Sequence, residues 1–383
     1  MIFSGAYACI SLDNARHNLR IVKKAVPNGV KLMCVIKANA YGHGAELLAR
    51  VYERLGIDFL GVATLYEAEK LRIAGIKLPI LVLGYTNPGC AKRLAEYGIS
   101  QSVFSVDYAN ALATSAKKAG VKVKIHIKID TGMSRIGFVV SNRRELEKMC
   151  FAAFVPEFIP EGIFTHFASA DTGDSAFMKT QGERFSYVIS GIRELGITGL
   201  IRHAANSATV IDYPEYAYDM VRAGIILYGI RPSDRLKNSL DLRPLMTLKA
   251  PISQVKTVAS GSSVGYSAKF TADRDTRIAT VQIGYADGIF RAGSLGKMTL
   301  TLGKAFVKTL GNICMDQLMI DLTGVKDAKM GDEVVIFGDG GRSVEALASE
   351  LNTIPYELTC IVGTRVPRAY TDNGKIVEIK NIF

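Results

Sequence analysis

In the stretch MCVIKANAYGHGA, residues 33–45, an ion-forming lysine closes an apolar run. Lys37 follows Cys34, Val35 and Ile36, and the chain then turns polar and glycine-bearing through Asn39, Tyr41, Gly42, His43 and Gly44. No acidic residue inside the stretch stands ready to pair with it. A lysine aimed out of a buried strand loses hydration, which depresses its pKa and frees the amine to condense with a carbonyl. On position alone, a surface lysine opening a loop fits equally well. A second cluster, KIHIKIDTGMSRIGF at 124–138, offers Lys128, Asp130 and Arg135. A planar guanidinium is suited to forking onto a carboxylate, and the plain alternative for Lys128 is a salt bridge with Asp130. The five histidines (His17, His43, His126, His166, His203) form no recognisable ligand spacing, so no metal is expected.

These groups need a frame. From residue 31 to about 230 an apolar strand followed by an amphipathic segment recurs. The expected strands are KLMCVIK (31–37), FLGVA (59–63), ILVLG (80–84), SVFSV (102–106), KIHIKID (124–130), GIFTHFAS (162–169), IRHAAN (201–206) and VRAGIILYG (221–229). Between them AELLARVYERLG, LYEAEKLRIAG and YANALATSAKKAG carry helical periodicity and end at Gly56, Gly75 and Gly120, where left-handed caps are expected. Eight such alternations predict an α/β fold, a parallel (β/α)8 barrel over 12–235, and no Gly-x-Gly-x-x-Gly follows the first strand. After Pro232 short strands with turn residues take over: LKAPISQVKTV, TRIATVQIGYADG, KMTLTLGKAFVKTLG, MIDLTG, DEVVIFG and, after the helix-like VEALASEL, IVEIKNIF. They predict a C-terminal β-rich domain over 236–383, joined by a strand from residues 1–11. Catalytic groups of such barrels sit at the C-terminal ends of strands, so Lys37 is expected in the mouth.

The chain's 383 residues, 48% apolar, suffice for two cores. Six scattered cysteines without a Cys-x-x-Cys pair fit reduced thiols. The N-terminus lacks the build of a signal peptide and no apolar run is long enough for a membrane span, so a soluble cytoplasmic protein is expected. The net charge of +11 is spread over helix-like segments and forms no basic stripe interleaved with aromatics. Nucleic acid is therefore not expected as a partner, and an anionic substrate or cofactor suits the charge.

KANAYGHG resembles the pyridoxal-phosphate lysine motif of the alanine racemase family, and further motifs recur in order along essentially the whole chain. The resemblance implies a barrel with a C-terminal β domain, pyridoxal 5'-phosphate bound through Lys37, and D-alanine made for peptidoglycan. It also implies that Arg135 meets the cofactor's phenolic oxygen and the substrate carboxylate, with Lys128, often carbamylated in the family, orienting it. His166 of THFASAD links the catalytic tyrosine to an arginine beneath the ring. RHAANSAT and MVRAGIILYG match the cofactor-cradling segments, so Asn206, Ser207, Gly224 and Ile225 are expected around the phosphate, with hydroxyls from Tyr41 and Tyr356. Arg222 would face the pyridine nitrogen. A carboxylate there makes a deep electron sink, whereas an arginine leaves the nitrogen unprotonated and suppresses side reactions. The alternative for Arg222 is a pair with Asp219. SSVGYSAKF carries Tyr266, the second base, and GNICMDQ carries Met315 and Asp316. In the family both segments reach the other subunit's barrel in a homodimer.

Inverting an α-carbon requires a proton to leave one face and another to arrive on the opposite face, most simply with two bases. Lys37 would serve the D-isomer and Tyr266 the L-isomer. Ser134 and Ser267 stand where the family usually has glycine, Ala223 where proline is usual and Asn312 where arginine is common. Three rivals are compatible with these motifs. One is a serine or serine/alanine racemase, against which the bulk of Tyr356 favours alanine. Another is a decarboxylase of basic amino acids, against which Arg222 weighs. The third, from a different class, is a non-catalytic pyridoxal-phosphate-binding protein, which would lack the β domain.

Overall fold

Strands buried on both faces are stable only with helices outside and side chains filling the space within, and eight of them here curl into a barrel. After β1 (Tyr7–Ser11), the barrel strands are β2 (Lys31–Val35), β3 (Phe59–Val62), β4 (Ile80–Val82), β5 (Ile99–Val103), β6 (Val123–Lys128), β7 (Phe158–Phe164), β8 (Ile201–His203) and β9 (Met220–Ala223). The computed structural model describes residue 3 and residues 5–381, so the ends of the strands expected at 1–11 and in IVEIKNIF lie partly outside the described residues. The parallel ladder runs β8-β7-β6-β5-β4-β3-β2-β9. Its seam is drawn together by Asp219 N–H to Arg202 O at 3.0 Å and Arg222 N–H to Ala205 O at 3.1 Å. The Asp219 carboxylate takes the Arg202 guanidinium at 2.7 Å, so Asp219 pairs with Arg202 and not with Arg222.

Several strands end earlier than their apolar runs. The SVFSV strand lies instead at Ile99–Val103, because Ser105 accepts from Tyr108 N and starts a helix at Val106. β7 begins at Phe158 and stops before Thr165, and β9 stops at Ala223, beyond which Ile225–Tyr228 coils into a 3-10 turn. Gly56, Gly75 and Gly120 follow their helices at φ of 68°, 87° and 66°. Inside the barrel Met33, Phe59, Leu81 and Met220 form their own apolar cluster, while the opposite strand faces join the helices in one large core.

The second sheet is built around β10 (Met246–Val258), which pairs antiparallel with β1, Tyr7 opposite Lys249 and Ile10 opposite Met246. The strand Arg368–Asp372 lies parallel to β1 on its other side. A short helix, Pro355–Cys360, leads from this domain back to the barrel. Its backbone fits so closely that a Cβ on Gly42 would overlap the carbonyl oxygen of Thr359. Arg368, fully buried, donates to Gly42 O at 3.0 Å, and Tyr370 Oη donates to His43 O at 3.1 Å. The β domain thereby clamps the turn that follows Lys37. Among the described residues no helix is long and apolar enough to cross a membrane.

Candidate active site

β2 ends at Val35, and Lys37 opens a turn of unusual hand. Ala38, Asn39, Ala40 and Tyr41 all have positive φ, 52°, 54°, 55° and 51°. A left-handed run costs about 1–2 kcal/mol per non-glycine residue, and such strain persists only where the surroundings fix it. Glu67 supplies part of that support, accepting from Ala38 N at 2.6 Å and from Ala63 N at 2.7 Å. The Lys37 amine projects into a cavity of about 410 Å³ at the C-terminal mouth of the barrel. Burial, then the charge of Arg135, hold its pKa below the usual lysine value. Among the described residues the cavity wall carries four basic side chains, Lys37, Lys128, Arg135 and Arg222, against one carboxylate, Asp171. Such a mouth favours anions.

Arg222 occupies the floor. Its guanidinium donates to Thr165 O at 2.8 Å, to His203 O and Ala204 O at 3.0 Å, to His203 Nδ1 at 3.0 Å and to His166 Nδ1 at 3.2 Å. No carboxylate meets it among these contacts. Burial lowers its pKa, to about 9, which leaves it charged at neutral pH. The Phe164 ring lies beneath both Arg222 and Lys128, with Cζ and Nζ at 5.4 and 5.1 Å from its centroid. Lys128 is 4% exposed, donates among the described residues only to Ile129 O at 3.1 Å, and is pushed down to about 7 by burial and then by Arg222. It makes no salt bridge with Asp130, whose carboxylate instead accepts from Gly132 N and Ser134 N. His166 lies well below its usual pKa, again through burial and then Arg222.

On the far side, Ser207 opens a short helix, and its Oγ accepts from Gly224 N at 2.9 Å. The Asn206 side chain is occupied in capping, accepting from Ala208 N and Thr209 N at 3.1 Å. A Cβ on Gly224 would stand 2.9 Å from Tyr41 Oη and 3.6 Å from Ser207 Oγ. The bare backbone of Gly224–Ile225 with the Ser207 and Tyr41 hydroxyls thus forms a cradle of a kind that holds a phosphate. Tyr356 faces Tyr41 with ring centroids 6.0 Å apart, and Cys360 completes the wall. Cys360 and Asp171 on the wall, and His126 and His203 behind Arg222, stand in no motif that marks them from sequence. A period-2 reading of KIHIKID places His126 on the face of Lys128 and would have found one of them.

Tyr266, Met315 and Asp316 do not line this cavity. They border a separate cavity of about 630 Å³ on the β domain. Tyr266 is 69% exposed and Met315 is 52% exposed. Asn312 donates to Tyr266 O at 2.8 Å and so positions the tyrosine segment. Asp316 accepts from Arg365, which also binds Asp287, at 2.7 and 2.8 Å.

A barrel whose mouth presents a desolvated lysine, a basic wall and an anion cradle, closed by a β domain, defines the class of enzymes that work through a buried amine and hold an anionic group beside it. The model of the alanine racemase N-terminal domain matches residues 10–232, and that of the C-terminal domain matches 245–370. The alanine racemase of Desulfovibrio desulfuricans is 44% identical over 369 residues, covering 96% of this chain and 98% of that protein. An alanine racemase structure from Clostridium difficile 630 superposes with a TM-score of 0.95 at 38% identity, each chain covered in full. One from Bacillus anthracis with bound L-Ala-P gives a TM-score of 0.93 at 32% identity, covering 100% and 98%. The chain belongs to the alanine racemase family.

Proposed function

We propose that this chain interconverts L- and D-alanine with pyridoxal 5'-phosphate as cofactor, supplying D-alanine for peptidoglycan as a cytoplasmic homodimer. The observation that carries the reading is the pairing of a desolvated Lys37 amine at the mouth with a buried, carboxylate-free Arg222 on the floor. The cavity fits the cofactor: the bare cradle at Gly224, Ile225, Ser207 and Tyr41 would hold its phosphate, with Tyr356 adding a hydroxyl and Arg222 facing its ring nitrogen. When bound, the group acidifies the α-C–H of an attached amino acid.

The protein groups do the rest. Arg135, at the rim, takes the substrate carboxylate. The Lys37 amine, uncharged more readily than a free lysine, removes the α-proton from one face and returns it there in reverse. Tyr266 of a second copy does the same on the other face, and the exposed Tyr266, Met315 and Asp316 surface is free to enter a neighbouring mouth. Arg222, which has no carboxylate partner among its contacts, would present a cation to the ring nitrogen, and so would disfavour its protonation and the side reactions that a protonated ring supports. Tyr41 and Tyr356 narrow the space beside the α-substituent, favouring a methyl group. A hydroxymethyl group is disfavoured by only ~1–3 kcal/mol, so slow serine turnover is expected.

Chiral analysis of the purified protein with L-alanine and with L-serine, pyridoxal phosphate supplied, tests the reading. Fast D-alanine with slow D-serine is the expected result. Comparable or faster D-serine moves the assignment to a serine racemase. Cofactor binding with no inversion of either moves it to a non-catalytic binding protein.

A further inference from the structure

Behind Arg222 lies a row of buried polar groups that the proposed reaction does not use. His203 Nε2 and His126 Nδ1 are 2.9 Å apart, both rings fully buried. His126 Nε2 has no hydrogen-bond partner among the described residues and stands 3.9 Å from Glu161 Oε2. Glu161 is otherwise held by Ser100 Oγ at 2.5 Å and Lys124 Nζ at 2.8 Å.

The protons in this row have one arrangement. Arginine only donates, so His203 Nδ1, 3.0 Å from Arg222 Nη1, must accept. Both imidazoles are neutral: burial pushes His126 down to about 4 and His203 well below its usual value. A neutral imidazole accepting at Nδ1 carries its proton at Nε2, so His203 donates to His126 Nδ1. His126 then carries its own proton at Nε2, aimed at Glu161.

The backbone is shaped for this row. Ile125 lies opposite Pro160 and His126 opposite Gly162, leaving Glu161 as the extra residue of a bulge. Bulges beside active sites re-aim side chains, and this one sends Glu161 toward His126. At the next position a Cβ on Gly162 would overlap the His126 ring, so glycine makes room for the imidazole. We propose that Glu161 is a positioning residue whose negative charge terminates a one-way chain, Arg222 to His203 to His126, and fixes the guanidinium beneath the site.

The inference rests on the racemase reading only for its kinetic part. Nitrogen-15 spectra of the cofactor-free chain with labelled histidines come first: His126 and His203 are expected as pure Nε2–H tautomers, and an Nδ1–H proton on His203 overturns the chain. Glu161→Gln keeps the volume and removes the charge. By releasing His126 it is expected to let the Arg222–His203 Nδ1 hydrogen bond open part of the time, giving mixed tautomers at both rings, with kcat of the loaded enzyme down about tenfold, as when an outer orienting partner is lost. KM is expected to stay within about twofold, as for an interaction expressed in the transition state. Glu161→Asp, which keeps the charge, is expected to restore single tautomers. Unchanged tautomers in Glu161→Gln, an aspartate that behaves like glutamine, or a lowered Tm with parental kcat each overturn the proposal. A chain with the expected tautomers that inverts neither amino acid overturns the proposed function and leaves the proton arrangement standing.

Discussion

Lys128 holds an ammonium where charges are costly: buried, over an aromatic ring, and close to Arg222. Its folded pKa is about 7 against 10.5 for the free side chain. Between those values the unfolded chain binds more protons than the folded one, so stability rises with pH across the window. Below about 7 the cost is fully present. Urea midpoints of the cofactor-free chain in carbon dioxide-free buffer should therefore climb from pH 7 to pH 10, and Lys128→Met should flatten that climb. Equal slopes in parent and variant would show that Lys128 pays no such penalty. The neutral amine is the form that adds carbon dioxide, so the carbamate expected here from the family resemblance draws on the same depressed pKa. Its place at a strand end raised Lys37 as a candidate, whereas the roles of Arg135 and Arg222 came from the resemblance of their motifs to the alanine racemase family. The tautomer row of His126 and His203 was not legible, because Arg222, His203, His126 and Glu161 come from four different strands.

At the scale of elements, the site's segments share left-handed backbone. The Lys37 turn has four such residues in succession, and Ser134 and Ser267, which replace the family's usual glycines, sit at φ of 57° and 63°. The family's glycine preference at those two places thus has a conformational cause that the sequence states only as a departure. Eight strand–helix alternations were readable from periodicity. The strand ends were not, because Ser105 captures the chain into a helix and Gly224 breaks β9 before its apolar run is finished. Ser134 is exposed and its side chain is not engaged in the turn, where Asp130 accepts from the backbone N–H. Ser134→Gly removes about 1–2 kcal/mol of left-handed strain against about 0.5–1 kcal/mol of added chain entropy. A net gain of about 0.5–1 kcal/mol is expected in urea unfolding. A loss of stability would mean that Ser134 does not hold that conformation in solution.

At the scale of the whole molecule, the two proposed bases lie on different surfaces of one chain: Lys37 in the barrel mouth, Tyr266 at a separate cavity on the β domain. An enzyme that needs both at one α-carbon must bring a second copy's Tyr266 to the first copy's Lys37, and a two-fold dimer does so twice by symmetry. This arrangement makes complementation possible. Lys37→Ala and Tyr266→Phe should each fail to racemise as homodimers. Co-expressed in equal amounts, half of the dimers are mixed, and each mixed dimer holds one intact site and one doubly altered site. Racemisation should then return to about a quarter of the parent rate per site, as random two-fold pairing dictates. The doubly substituted chain mixed with parent serves as the control, since its mixed dimers have only half-altered sites and should add nothing to the parent homodimers. If the two single variants restore no activity while size measurements show that mixed dimers form, then Lys37 and Tyr266 do not act across the interface. The second base would then have to come from the same barrel mouth, where Tyr41 and Tyr356 are the tyrosines that line the cavity.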